Sequence, residues 1–487
     1  MVNFPSVDRI LRAPLSREDA ECVRDLMKVL AKTSRRNALR SRYYDMREMP
    51  RDLGISVPPN LRGLKQAVGW PKKAVESLAD RSQFDGFTCD DPEAAAILQR
   101  VVADNGLKRK YRKLVRSELK HCCAFLAVTD GAADGEPPRA KVSAYPATGA
   151  AAIWDHSRNR IKCGLVVADV GKVCGIEQPT RIDVFTDEAV VVMRADAAGR
   201  WASERREHGM GRCLMEPLAY DATLERPFGR SRITRAVMDI ADDAARAARR
   251  SEIAAEFLTS PQKYLMGADK EAIGDMSKWD AYIGSIFAVS KDRDGDVPQF
   301  GQLSQGTLQP HIDYMRSLAA RFSGETNVPL SELGVVADNP ASAEAIYAAK
   351  EAMVVDAQNL NADNAEALRD VALMALAVEQ GTTFEEQVAR GYALQAKFKN
   401  PAMPSVVSQA DAMLKIAQVV QWMPESDVFL EELGFSDDQM QRLRSDRAKS
   451  QSRALVARYS QGLNTASDPA RAAADAGGEG GGDDIGR

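Results

Sequence analysis

Apolar positions recur at helical spacing from the start of the chain. Val23, Leu26, Met27 and Leu30 share one helical face, and Ser16 ahead of Arg17, Glu18 and Asp19 supplies an N-cap with acid in the first turn. After Arg51-Asp52-Leu53-Gly54 and Pro58-Pro59, Leu61, Leu64, Val68, Val75 and Leu78 predict a second helix, kinked or broken at Trp70-Pro71. Asp91-Pro92 opens a third helix in cap-then-proline order, and Lys108 to Lys120 form a fourth with a basic outer face. From Phe125 to about Pro217 the texture becomes short β-prone runs: Phe125–Val128, Lys141–Tyr145, Ile161–Ala168, Arg181–Thr186, Ala189–Arg194 and Trp201–Glu207. They predict an antiparallel meander, with hairpin turns at Phe185–Ala189 and Asp196–Arg200.

Pro227-Phe228-Gly229-Arg230-Ser231-Arg232 marks a return to helix, about Ile233 to Leu258, with Ser231 as the expected N-cap. A small mixed segment follows, with a hairpin expected over Ile286–Val289, Lys291–Asp296 and Val297–Phe300, and then a helix from Gln309 to Phe322. A loop over 324–341 leads to the longest helical stretch, Ser342 to about Glu379. Asn359, Asn361, Asp363 and Asn364 in its middle are poor helix formers and predict a kink or break there. Further helices are expected over Thr383–Ala396, Val406–Val420 and Ser436–Arg458. The Gly-, Ala- and Asp-rich tail from about Gln461 reads as disordered. The class is α+β, mainly helical.

Composition narrows the chemistry. Lysine plus arginine number 65 against 69 acids in 487 residues, a net charge of -4 that gives no global attraction to nucleic acid or anionic lipid. Any DNA contact must be local or steric. The seven cysteines are an odd number without repeated spacing, the pattern of reduced thiols. No uncharged apolar run approaches the ~20 residues that span a bilayer, and the N-terminus lacks the features of a secretory signal, so no membrane partner is expected.

Catalytic and metal motifs fail on inspection. No phosphate loop of the G-x-x-x-x-G-K-[ST] kind occurs, so the chain is not an ATP-driven motor. His121, His156, His208 and His311 are scattered, and His121-Cys122-Cys123 reads as a helix end with buried thiols. Asp292, Asp294 and Asp296 imitate a calcium loop, but Gly295 and Leu303 stand in the wrong places. No catalytic residue, cofactor or metal site is expected. Arg230, Arg232, Arg235, Arg246, Arg249 and Arg250 are able to track phosphates, yet Asp239, Asp242, Asp243 and Glu252 alternate with them, which favours salt-bridged packing.

A resemblance rests on two sets of residues. The first is Tyr43-Tyr44-Asp45, Arg51-Asp52-Leu53-Gly54-Ile55, Pro58-Pro59, Val68-Gly69-Trp70-Pro71, Val75-Glu76-Ser77-Leu78-Ala79-Asp80-Arg81 and Asp85-Gly86-Phe87. The second is Phe228-Gly229-Arg230-Ser231-Arg232-Ile233, Glu252-Ile253-Ala254-Ala255-Glu256-Phe257 and Ser260-Pro261-Gln262-Lys263-Tyr264. Together, over roughly residues 20 to 460, they resemble the siphophage-type portal proteins of tailed bacteriophages of actinobacteria.

That resemblance implies a non-enzymatic dodecameric ring at one capsid vertex, a channel for double-stranded DNA during genome packaging and ejection. It implies a wing (1–230 with the long helix, 342–400), stem helices (231–258 and 307–323), a clip (259–306), a tunnel loop (324–341), a crown (401–460) and a tail (461–487). The implied partners are the terminase large subunit, scaffold and major capsid protein, and head completion or adaptor proteins. The implied place is the virion, after assembly in the host cytoplasm. The stem arginines would be Arg232, Arg235, Arg246, Arg249 and Arg250. Glu325, Glu332 and Asp338 make the tunnel loop wholly acidic, so it would repel phosphates and meet DNA only through Val328, Pro329, Leu330 and Leu333. The alternatives are another virion adaptor or scaffold protein, or a nucleic-acid-processing enzyme.

Overall fold

The computed structural model describes residues 4–50, 66–132, 136–173, 175–259, 263–266, 299–302, 306–334, 343–402, 406–420, 422–435 and 437–466. The chain divides into two compact units, 1–402 and 403–487. Helices and antiparallel sheets together make the α+β class expected from sequence.

The first unit opens with the short helix α1 (Val7–Ile10) and the long helix α2 (Arg17–Tyr44), whose Ser16 hydroxyl accepts from the Asp19 N–H at 3.0 Å. Helix α3 (Trp70–Ala79) carries Pro71 in its first turn. The expected kink at Trp70-Pro71 is therefore a helix start, because a proline at that position lacks an N–H that has no partner there anyway. The remainder of the expected second helix, with Leu61 and Leu64, and the motifs from Arg51 to Pro59 lie outside the described residues. Strand β1 (Phe84–Thr88) precedes α4 (Pro92–Asp104), capped by Asp91, and α5 (Leu107–His121).

The β-prone region forms two sheets, where one meander was expected. Strands β2 (Cys123–Asp130), β3 (Ala140–Pro146) and β9 (Met215–Ala219) order as β3-β2-β9. Strands β4 (Ala150–Asp155), β5 (Arg160–Val173), β6 (Ile176–Phe185), β7 (Ala189–Ala195) and β8 (Trp201–Glu207) follow one another as a true meander. All six expected runs are strands, and both expected hairpin turns form. The five-stranded sheet buries Leu165, Ile182, Val184, Val191 and Met193 against Val23, Leu26, Met27 and Leu30 of α2.

Helix α6 (Arg235–Thr259) begins two residues later than expected, and its cap is Thr234, whose hydroxyl accepts from the Val237 N–H at 3.2 Å. Ser231 is not the cap: its hydroxyl donates to the Lys120 carbonyl at 2.6 Å and accepts from the Ile233 N–H. After α6, β10 (Lys263–Met266) pairs antiparallel with β11 (Gln299–Gln302). Most of the expected hairpin and the Asp292–Asp296 run lie outside the described residues. The end of that hairpin, Gln299-Phe300, belongs to β11, which pairs with Lys263–Met266, far back in the chain. Helix α7 (Gln309–Thr326) then packs on α6.

Helix α8 (Ala343–Gln380) runs for 38 residues, about 57 Å at 1.5 Å per residue, without the expected break at Asn359–Asn364. Asn361 and Asn364 face inward: the Ser82 hydroxyl donates to Asn361 Oδ1 at 2.6 Å, and Asn364 Nδ2 donates to the Tyr111 hydroxyl and to Glu118, each at 3.0 Å. Those long-range bonds outweigh low helix propensity. Thr383 then forms a capping box for α9 (Phe384–Ala389), which ends well before Ala396. Gln395–Phe398 is instead a strand, β12, paired antiparallel with β1.

The second unit contains α10 (Val406–Val419), the short α11 (Asp427–Glu432) and α12 (Asp437–Ala466), which extends beyond the expected end at Arg458. No helix among the described residues is long and apolar enough to cross a membrane.

Candidate functional site

The expected stem and tunnel-loop residues meet where α6 starts and α7 ends. Arg232, immediately ahead of α6, is 5% exposed. Its Nε donates to the Ala74 carbonyl of α3 at 2.8 Å and its Nη1 to the Tyr220 hydroxyl at 2.8 Å. Nη1 also lies 3.4 Å from the Asp356 carboxylate of α8, and Nη2 donates to the Thr326 carbonyl at the end of α7. One guanidinium thus ties α3, the segment after β9, both helices of the α6–α7 pair, and α8. Its rigid fork of five donors suits this task in a way an ammonium would not.

Around that clamp the α7 terminus is closed by Asn327, left-handed at φ 54, whose Nδ2 donates to the same Asp356 oxygen at 3.1 Å. Phe322 stacks at a tilt on Trp70, with centroids 5.4 Å apart. A 3₁₀ turn over Leu330–Leu333 follows and ends on Gly334 at φ 82.

These positions correct the reading of the loop. Glu325 lies inside the last turn of α7, and the Thr234 hydroxyl donates to it at 3.0 Å. Val328 is wholly buried, Pro329 is buried and Leu333 is 9% exposed. Of the four apolar residues expected to meet DNA, only Leu330, 40% exposed, is on the surface of the isolated chain. Glu332 is not a free repelling charge: Lys73 of α3 and Arg81 just beyond its end lie 3.2 and 3.4 Å from its carboxylate, and the Ser77 hydroxyl donates to it at 2.8 Å. Burial pulls this carboxyl upward, but the Ser77 bond and the two cations outweigh it and hold it below the usual carboxylate range. Asp338 lies outside the described residues.

The remaining stem arginines are dispersed along α6. Arg235 is exposed, while Arg246, Arg249 and Arg250 are half-buried. Arg246 pairs with Asp243 at 2.5 Å, and Arg321 of α7 approaches the same acid at 3.9 Å. The alternation of charges seen in sequence therefore gives salt-bridged packing at this point. Sequence reasoning singled out Arg232 but missed its partners, which stand 158, 12, 124 and 94 residues away along the chain. No local signal marks such separations.

Chemistry elsewhere is sparse. Burial pushes His121 down to about 3, so it is neutral at neutral pH, and its Nε2 lies 2.9 Å from the Ser41 hydroxyl. Among the described residues no group of three or more His, Cys, Asp or Glu could hold a metal ion.

No family model matches the chain. It is 27% identical over 414 residues to the portal protein of Mycobacterium phage L5, which covers 82% of this chain and 82% of the relative. It is 26% identical over 416 residues to the portal protein of Mycobacterium phage D29, covering 82% and 83%. Among solved structures, a chain from the neck of a native gene transfer agent particle, computed with C12 symmetry, aligns over 78% of this chain and 95% of its own. The TM-score is 0.42 and the identity 14%. A chain from the virion of the same kind of particle aligns over 72% and 85%, with a TM-score of 0.40 and 14% identity. The resemblance carried by the N-terminal and Phe228–Tyr264 motifs thus has its counterpart in whole sequences: along four fifths of its length the chain is similar to the portal proteins of two mycobacteriophages.

Proposed function

We propose that the chain is a portal subunit, one of twelve forming a ring-shaped DNA channel at a capsid vertex. The observation that carries the reading is sequence similarity to two portal proteins over 82% of the chain. The α6–α7 pair supports it: two packed helices leave the Arg232 clamp together and continue into the antiparallel β10–β11 ribbon. In this reading α6 and α7 are the stem and the β10–β11 segment belongs to the clip. Residues 1–230 with α8 are the wing, and the helices after residue 403 are the crown.

The ring acts by shape. Its clip is the docking face for terminase during packaging and for head completion proteins afterwards, and its location is the virion after assembly in the host cytoplasm. Scaffold and major capsid protein are the remaining partners. The segment 327–334 is the inner constriction, presenting Leu330. With Glu332 already neutralised by Lys73 and Arg81, the loop neither grips nor strongly repels phosphates, which permits sliding.

Negative-stain images of the purified full-length protein test the reading. Rings with a central hole and twelve-fold symmetry are expected. A compact monomer that stays monomeric in the presence of scaffold or terminase would overturn it.

A further inference from the structure

A cavity of about 630 Å³ opens between α2 and the segment that follows β9. Its lining contains Arg36, Arg40, Arg226 and Arg230 and no aspartate or glutamate. Arg36 and Arg40 stand one turn apart on α2, the spacing that puts side chains on one face. Arg226 and Arg230 bracket a tight turn in which the Gly229 N–H donates to the Arg226 carbonyl at 2.9 Å and the Arg230 N–H to the Tyr220 carbonyl at 2.7 Å. Gly229 has φ +66, and a Cβ there would collide with the Tyr220 backbone, so this turn needs glycine. The two arginine pairs are thus fixed by separate elements around one space.

Among the described residues, little compensates these charges. Asp221 comes within 3.9 Å of the Arg230 Nε with both side chains half exposed, and the Arg40 Nη1 is satisfied by the His121 carbonyl at 3.2 Å. Gathering like charges around a cavity costs energy that an entering anion would recover. On the inner wall are Phe125, Phe228 and the Cys122 thiol. Cys122 is held at φ 92, with its sulfur 4.0 Å from that of Cys123. Its thiol is drawn down to about 7, first by the bond with Cys123 and then, against burial, by Arg40 and Arg36.

We propose that this cavity is an oxyanion site, taking a small phosphate- or carboxylate-bearing ligand whose apolar part rests on Phe125 and Phe228. The proposal is independent of the ring reading, because it concerns the single chain.

Calorimetric titration of the full-length protein with inorganic phosphate, phenyl phosphate and benzoate, at constant ionic strength in chloride, tests it. Phenyl phosphate should bind more tightly than inorganic phosphate. Benzoate binding would extend the site to carboxylates, and its failure would restrict it to phosphates. Each of Arg36→Gln, Arg226→Gln and Arg230→Gln, at exposed positions that leave the fold intact, should weaken phenyl phosphate about tenfold, the scale of a lost charge-assisted contact.

Cys122 provides a second readout. Its thiolate attacks an aromatic disulfide, forming the mixed disulfide and releasing one aromatic thiolate. The dianionic reagent 5,5′-dithiobis(2-nitrobenzoate) should label Cys122, located by peptide mass spectrometry, faster than neutral 4,4′-dithiodipyridine does relative to a free thiol standard. Phenyl phosphate should slow that labelling. No heat of binding for any of the three probes, or labelling with no preference for the anionic reagent, overturns the proposal.

Discussion

Two buried polar centres hold the first unit together, and they solve the problem of charge in opposite ways. At the α6–α7 junction, the Arg232 guanidinium is surrounded from four directions by carbonyls, a tyrosine hydroxyl and a carboxylate. Under the middle of α8, Glu118 has only the Asn364 amide as a side-chain partner, and its Oε1 is buried without one. Burial therefore pushes Glu118 up to about 8, and it is neutral at pH 7. A cation with a full set of acceptors fixes geometry, whereas a neutralised acid makes the helix it touches sensitive to alkali.

The largest effect is expected from breaking the first centre. Arg232→Ala should destabilise the full-length chain by about 3–5 kcal/mol, read from its urea midpoint, because Asp356 and the Thr326 and Ala74 carbonyls lose their partner. Arg232→Lys should recover only part, since one ammonium cannot reach all four directions. A loss no larger than that of an exposed arginine such as Arg235 would show that the clamp is ornamental.

The second centre is tested by pH. A folded carboxyl raised above its unfolded value near 4.3 retains a proton that the unfolded chain has released. Stability should therefore fall as pH rises from about 4.3 toward 8, then level off. Glu118→Gln should remove the Glu118 share of that slope and leave the chain about 1–3 kcal/mol more stable at pH 8. An unchanged slope would place the sensitivity elsewhere, first at Glu216, which burial also pushes up to about 8 beside Arg212 and Asp370.

Glu332 sharpens the contrast from the acid side. Its folded carboxyl is depressed, so its contribution is full above the unfolded value near 4.3 and is lost as pH falls through the lower folded value. Glu332→Gln should cost about 1 kcal/mol at pH 7 and almost nothing at pH 3, by thermal unfolding at both. The smallest expected effect is that of Thr234→Ala, about 1 kcal/mol or less from the lost cap of α6, in a urea titration at pH 7.

The sequence made local features legible and long-range ones not. Ser16 and Asp91 announce their helices because a cap acts on N–H groups two or three residues away. The strand runs announce themselves by β-branched and aromatic content. By contrast β1 and β12 pair across some three hundred residues, and nothing in Gln395–Phe398 marks it as a strand before its partner is known. Asn361 and Asn364 read as helix breakers because their stabilising partners, Ser82, Tyr111 and Glu118, belong to other elements. The loop failed in the same way: three acids in a loop without lysine or arginine looked like a repelling ring, yet Lys73 and Ser77 of α3 and Arg81 just beyond it account for Glu332.

The central claim is that the Arg232 clamp sets the stem helices and the segment 327–334 against a central channel. A three-dimensional reconstruction of the assembled full-length protein tests it most directly, by locating Leu330 relative to the ring axis. The account predicts a twelve-fold ring with Leu330 at the narrowest point of the hole and α6 and α7 leading to the β10–β11 end. A ring with Leu330 on its outer wall, or particles that never close around a hole, would contradict it.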